Sequence, residues 1–163
     1  MNIDTDAIRR LRDHLLAHDY PEGIGADYVA VSQVEALIRR VDPFAETMYL
    51  VMIADGRPAE RERRALVAAI DILTNGTLGS SDIASMIDRF EKALGGSGAE
   101  ARFAQIGARI CVDRDDRETA FSLGAVIALA DEEVDVSENL ALKWIRQYYG
   151  ISERTAAEIL GSI

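Results

Sequence analysis

Two short segments of this chain repeat each other, and this repeat constrains the fold more than any other feature. Residues 54–62 and 130–138 each place Ala-Asp after an apolar stretch, and each carries a Glu seven residues after that Asp. The repeated acids are Asp55, Glu62, Asp131 and Glu138. A chain that carries the same motif twice at the same spacing is expected to form two pseudo-symmetric halves.

Apolar residues follow a helical period along almost the whole chain. They recur at intervals of three and four, as in Ile8, Leu11 and Leu15 near the N-terminus. No alternating pattern lasts long enough to predict a strand. We therefore predict an all-α protein, a bundle of about eight or nine short helices packed as antiparallel pairs.

Capping and helix-breaking residues set the expected boundaries in the first half. Asp4 and Thr5 precede a first helix, and a capping box over residues 32–35 begins a second. Pro43 is expected in the first turn of a third helix that runs to Ala54. Glycines at residues 95–98 predict a flexible linker. Beyond it, helices are predicted over residues 99–112, 116–130, 137–149 and 152–161. Gly76 and Gly150 are expected to end helices, and Ser152 to cap the last one.

The length of 163 residues fits one domain. We predict a single domain over residues 1–163, with halves at about 31–94 and about 99–163. Residues 1–30 are treated as an N-terminal helix and loop that extend the repeated part.

Acidic composition limits the partners that this chain attracts. The net charge is −10 and the sequence pI is about 4.7. No basic stripe is present, so nucleic acid and anionic membrane surfaces are not expected partners. Cations and basic protein surfaces are the partners that such a charge favours. We therefore expect other proteins among its partners, and the sequence does not predict its oligomeric state.

The single cysteine, Cys111, allows no internal disulfide and no thiolate-rich metal cluster. Its neighbours predict a buried helical position. The N-terminal residues lack a basic region followed by an apolar run, and no apolar stretch is long enough to span a membrane. We expect a cytoplasmic protein with no direct membrane insertion.

The repeated acids allow two interpretations. Carboxylates held close together at a helix–loop–helix corner suit the hard cations Ca²⁺, Mg²⁺ and Mn²⁺. Capping is the competing role, because Asp135 and Glu138 fit a capping box. Ala59, at the corresponding cap position of the first copy, has no capping side chain, which favours a further role for Glu62. An EF-hand is excluded because its glycine position holds Val136.

Other candidate sites are weaker. His14 and His18 have helical spacing but no third ligand nearby, and the acidic run at residues 113–118 is typical of a solvated turn. Trp144, Tyr148 and Tyr149 are interpreted as core and partial surface. No catalytic motif or site for an organic cofactor is evident, so we expect a non-enzymatic protein.

The duplicated Ala-Asp motif with its later Glu, in an acidic all-helical chain of this length, resembles the tellurite-resistance TerB family. The resemblance covers roughly residues 40–163. It implies an all-helical fold with pseudo-symmetric halves and divalent-cation binding through Asp55, Glu62, Asp131 and Glu138. One departure is Glu132, which stands where the first copy has Gly56.

The family name does not imply direct tellurite chemistry here. Tellurite is a dianion that carboxylates repel, and Cys111 is the only thiol. The first hypothesis is therefore a cation-binding module that acts indirectly in tellurite or metal stress. The alternative is a metal-free, acidic helical module for protein–protein interaction.

Overall fold

A computed structural model describes most of the chain. The described backbone covers residues 3–16, 29–54, 56, 58–130 and 136–163, and the side chains of residues 29–32 and 136–138 are excluded. The described part contains eight helices and no strand, which confirms the all-α prediction. The helices are α1 (Thr5–Leu16), α2 (Val29–Met52), α3 (Glu60–Leu73), α4 (Ser80–Ser97), α5 (Ala99–Ile110), α6 (Arg114–Ala128), α7 (Val136–Tyr148) and α8 (Glu153–Leu160).

Two helices, α2 and α6, form the centre of the molecule. Every residue at positions 41–52 of α2 and at positions 119–128 of α6 is buried. A helix that is buried on all sides must be surrounded by other elements, and α2 packs against α3, α4, α5, α6 and α7. All eight helices contribute buried side chains to one continuous core.

The central helices run in the same direction. Arg40, in the middle of α2, contacts Asp116 in the first turn of α6, and further along both helices Thr47 and Val51 lie against Gly124. A Cβ atom at Gly124 would lie 3.4 Å from Val51 Cγ2, an ordinary contact, but only 2.7 Å from Ile145 Cδ1, so glycine makes room for the Ile145 side chain of α7. The predicted antiparallel packing is therefore wrong for this central pair, and both helices end on the same side of the molecule.

The first half contains one helix where two were predicted. Helix α2 continues through Ser32 and Pro43, so neither residue begins a helix. Pro43 removes one backbone N–H, at a cost of about 3 kcal/mol in a helix interior. The complete burial of the helix from Val41 to Met52 outweighs this local cost. The missing N–H leaves the Arg39 carbonyl without its helical donor. The Thr47 hydroxyl adds a separate hydrogen bond to the Pro43 carbonyl at 2.8 Å.

Several helix ends agree with the predicted signals. Gly76 and Gly150 follow α3 and α7 with φ angles of 69° and 67°, a region that favours glycine. The predicted linker at residues 95–98 is reduced to Gly98, because α4 continues to Ser97. The predicted loop at residues 19–30 lies outside the described residues up to position 28, and Val29 already belongs to α2.

Two local predictions were wrong. Asp113 is the N-cap of α6, where its carboxylate accepts from the backbone N–H groups of Asp115 and Asp116. The acidic run therefore begins a helix and is not a turn. Cys111 follows the last residue of α5 and is exposed, because the buried face of that helix ends with Ile110.

Helix α1 takes part in the repeat. It packs against α3 and α6, whereas α5 packs against the corresponding helices α7 and α2. Each half therefore places its first helix against its own third helix and the central helix of the other half. This packing adds α1 to the first half, which the sequence began at about residue 31. Within the described residues, no helix has both the length and the apolar content needed to cross a bilayer.

Candidate functional site

The repeated acids occupy equivalent positions in the two halves. Asp55 lies three residues after the end of α2, and Asp131 lies three residues after the end of α6. Glu62 and Glu138 are each the third residue of the following helix, α3 or α7. The motif thus marks the same structural step in both halves, from a central helix to a surface helix.

The two central helices also end in the same way. The Ala54 N–H donates to the Val51 carbonyl at 3.1 Å, and the Ala130 N–H donates to the Ile127 carbonyl at 3.1 Å. Each of these turns is followed directly by one of the repeated Asp residues. Because α2 and α6 run in parallel, both acidic segments begin on the same side of the molecule.

Only one of the four predicted ligands has a described side chain. Asp55 and Asp131 lie outside the described residues, and for Glu138 only the backbone is described. Glu62 is half-buried, and its Oε2 accepts from the Ala59 N–H at 2.7 Å. Glu62 therefore caps α3 although Ala59 has no capping side chain. The sequence argument that Glu62 has a role beyond capping, because Ala59 has no capping side chain, was therefore wrong.

Within the described residues, no group of three or more His, Cys, Asp or Glu side chains has an arrangement that holds a metal ion. Of the weak candidate pair His14 and His18, only His14 is described, and its Nε2 lies 3.7 Å from Asp115 Oδ2. The absence of such a metal-binding group does not extend to a site that uses Asp55 and Asp131, because those two residues are not among the described ones.

Two buried acids and the arginines that pair with them were not found from the sequence. Asp42 and Glu46 lie one turn apart on α2, and both are buried. Arg102 on α5 donates to both oxygens of Glu46, at 2.7 and 2.9 Å. Arg89 on α4 and Arg109 on α5 donate to the two oxygens of Asp42, at 2.9 and 3.1 Å. We call these five residues the acid–arginine clamp.

The clamp joins α2, α4 and α5, and so it crosses from one half to the other. Burial raises the pKa of the Glu46 carboxyl, and the hydrogen bond and charge of Arg102 oppose that shift. A buried carboxylate without such a partner is strongly destabilising. Two acids one turn apart inside an apolar helical stretch were the sequence signal for this cluster.

A second ion pair lies between the central helices. Arg40 donates to both carboxylate oxygens of Asp116, at 2.6 and 2.7 Å, and both side chains are mostly buried. These residues are 76 positions apart, which is also the offset between Asp55 and Asp131. Residues that the repeat relates are thus in direct contact, so this pair lies near the approximate two-fold axis.

Comparison with known proteins identifies the family of this chain. The family described as tellurite resistance protein TerB matches residues 44–160, from the central part of α2 to the end of α8. Searches of curated proteins and of solved structures returned no significant match. Since the family match covers well over half of the sequence, the chain belongs to the TerB family.

Proposed function

We propose that this TerB-family protein binds a divalent cation through Asp55, Glu62, Asp131 and Glu138. The observation that carries the proposal is that the two parallel central helices end on the same side of the molecule, each followed in sequence by one copy of the acidic motif. Carboxylate oxygens are the donors that Ca²⁺, Mg²⁺ and Mn²⁺ prefer.

Glu62, the only one of the four acids whose side chain is described, is compatible with this role. The hydrogen bond from Ala59 engages Oε2 of Glu62, which leaves the other carboxylate oxygen for a cation. A net charge of −10 raises the local concentration of cations around the protein. The proposal covers both one shared site and two separate sites, which the stoichiometry of binding distinguishes.

Calorimetric titration of chelator-stripped protein with Ca²⁺, Mg²⁺ and Mn²⁺ tests the proposal. We expect saturable binding that the double variant Asp55→Asn/Asp131→Asn abolishes. Glu62→Gln should weaken binding without unfolding α3, because the amide oxygen still accepts from the Ala59 N–H. Glu60→Gln is the matched control, since Glu60 is an exposed acid in the same helical turn.

Unchanged binding in the double Asn variant would contradict the proposal. Absence of binding by the wild-type protein would contradict it as well, and would favour the alternative of a metal-free interaction module. That alternative is supported by the acidic charge and by the capping role of Glu62. It predicts capture of a basic protein partner that weakens as salt screens exposed charges.

We further propose that the protein acts in the cytoplasm as a non-enzymatic component of tellurite or metal stress responses, together with other proteins. An indirect role is favoured because carboxylates repel the tellurite dianion. Titration with tellurite in place of metal ions should give no saturable heat.

A further inference from the structure

An open groove lies where α4 meets α5, beside the C-terminal half of α7. One wall is formed by residues 97–101, and the other by Trp144 and Tyr148. Gly98 adopts a φ angle of 77°, which permits the one-residue turn between α4 and α5. The groove shares no residue with the repeated acids.

Both aromatic side chains of the groove are positioned by neighbours. Trp144 and Tyr148 lie one turn apart on α7, and both are half-buried. The Trp144 ring packs against Phe103 of α5, with centroids 6.1 Å apart. The Tyr148 hydroxyl donates to Glu100 Oε1 at 2.7 Å. The groove therefore combines two fixed aromatic rings with one oriented carboxylate.

This combination suits a positively charged ligand. The face of an aromatic ring attracts a cation, and Trp gives the strongest such interaction. A guanidinium group stacks on aromatic rings and hydrogen-bonds to a carboxylate in the same plane, which an ammonium group does less well. Glu100 supplies a charge complementary to a cation, in a protein whose net charge is −10.

We propose that this groove binds an arginine side chain presented by a partner protein. The guanidinium stacks against Trp144 and Tyr148 and pairs with the Glu100 carboxylate. This interaction goes beyond the proposed function, because it uses a separate surface and requires no divalent cation.

The test uses the fluorescence of Trp144, the only tryptophan of the chain. The intact protein is titrated in chelator-containing buffer with the blocked peptide acetyl-Gly-Arg-Gly-amide. The matched probe contains citrulline, which has the shape of arginine without its charge. We expect a saturable change with the arginine peptide, a weaker one with a lysine peptide, and none with the citrulline peptide.

Variants of the groove provide the second arm. Glu100→Gln should weaken binding of the arginine peptide by about two- to fivefold, as expected for one exposed charge pair. Tyr148→Phe should weaken it less, because it removes only the hydroxyl that orients Glu100. Glu158→Gln on α8 makes the same change in net charge away from the groove and should bind like the wild-type protein.

Equal responses to arginine and citrulline peptides would overturn the proposal, as would wild-type affinity in Glu100→Gln. Absence of any response to the arginine peptide would also overturn it. Because the buffer contains a chelator, these outcomes are independent of cation binding by the repeated acids.

Discussion

At the scale of single residues, the acid–arginine clamp shows how this fold accommodates charge in its core. Glu46 is only 1% exposed, yet both its oxygens accept from Arg102. Burial disfavours the ionised carboxylate, and this effect exceeds the stabilisation by Arg102, so the pKa of Glu46 is raised. Ionisation of Glu46 is therefore linked to stability.

Stability is expected to depend on pH through Glu46. Between the ordinary glutamate pKa and the raised pKa, the folded protein holds more protons than the unfolded chain. The free energy of unfolding therefore has a contribution from Glu46 that is complete below the ordinary pKa and is lost as pH rises through the raised pKa. Glu46→Gln should remove this contribution, as measured by urea unfolding from about pH 4 to 7.

Glu91→Gln is the control for this measurement, because Glu91 is an exposed acid that pairs with Arg63 on the surface. This variant should keep the wild-type decline with pH. If Glu46→Gln shows the same decline as the wild-type protein, the assignment of this contribution to Glu46 is incorrect.

At the scale of helices, the Glu of the first copy of the motif caps the helix that follows it, whether or not the motif binds a cation. In α3 the third residue, Glu62, accepts a hydrogen bond from the backbone N–H of Ala59, the residue just before the helix. In α4 the third residue, Asp82, accepts from the Gly79 N–H at 3.2 Å in the same way. An acid at this helical position is thus used for capping both within the motif and outside it.

The capping bond of Glu62 should be separable from its charge. Glu62→Ala removes the hydrogen bond to Ala59 and should lower the free energy of unfolding by about 0.5–1 kcal/mol. Glu62→Gln retains an acceptor oxygen and should cost much less. Urea denaturation of the chelator-stripped protein measures both values. Equal losses in the two variants would assign the effect to the charge near the helix N-terminus.

At the scale of the whole molecule, the two halves interlock. Helix α1 lies against the central helix of the second half, and α5 lies against the central helix of the first. Ile8 in α1 and Ile106 in α5 are both completely buried. The first helix therefore belongs to the common core, although the family match begins only within α2.

This interlocking predicts that α1 unfolds together with the remainder of the protein. Ile8→Ala should lower the free energy of global unfolding by about 2–5 kcal/mol, as for other buried Ile→Ala changes. Ile106→Ala in α5 should give a similar loss, whereas Leu11→Ala, at a partly buried position, should cost less. Hydrogen exchange combined with thermal unfolding measures these effects. Separate melting of α1 in Ile8→Ala would show that it is an appended element.

The sequence by itself determined the helical class, the repeated motif and most helix ends, because these depend on local period and on capping. Gly76, Gly150 and Ser152 act at the predicted positions since a backbone turn or cap is decided by nearby residues. The family resemblance also followed from the short motif and its spacing, and the match over residues 44–160 confirmed it.

Tertiary structure decided the features that depend on distant residues. Burial keeps α2 continuous through Pro43, and the clamp joins Asp42 to arginines 47 and 67 positions away. Neither the partners of buried charges nor the exposure of Cys111 is encoded in a local pattern. Likewise, only the packing of α1 on α3 and α6 shows that it is equivalent to α5, because a helical period does not specify which neighbour covers its apolar face.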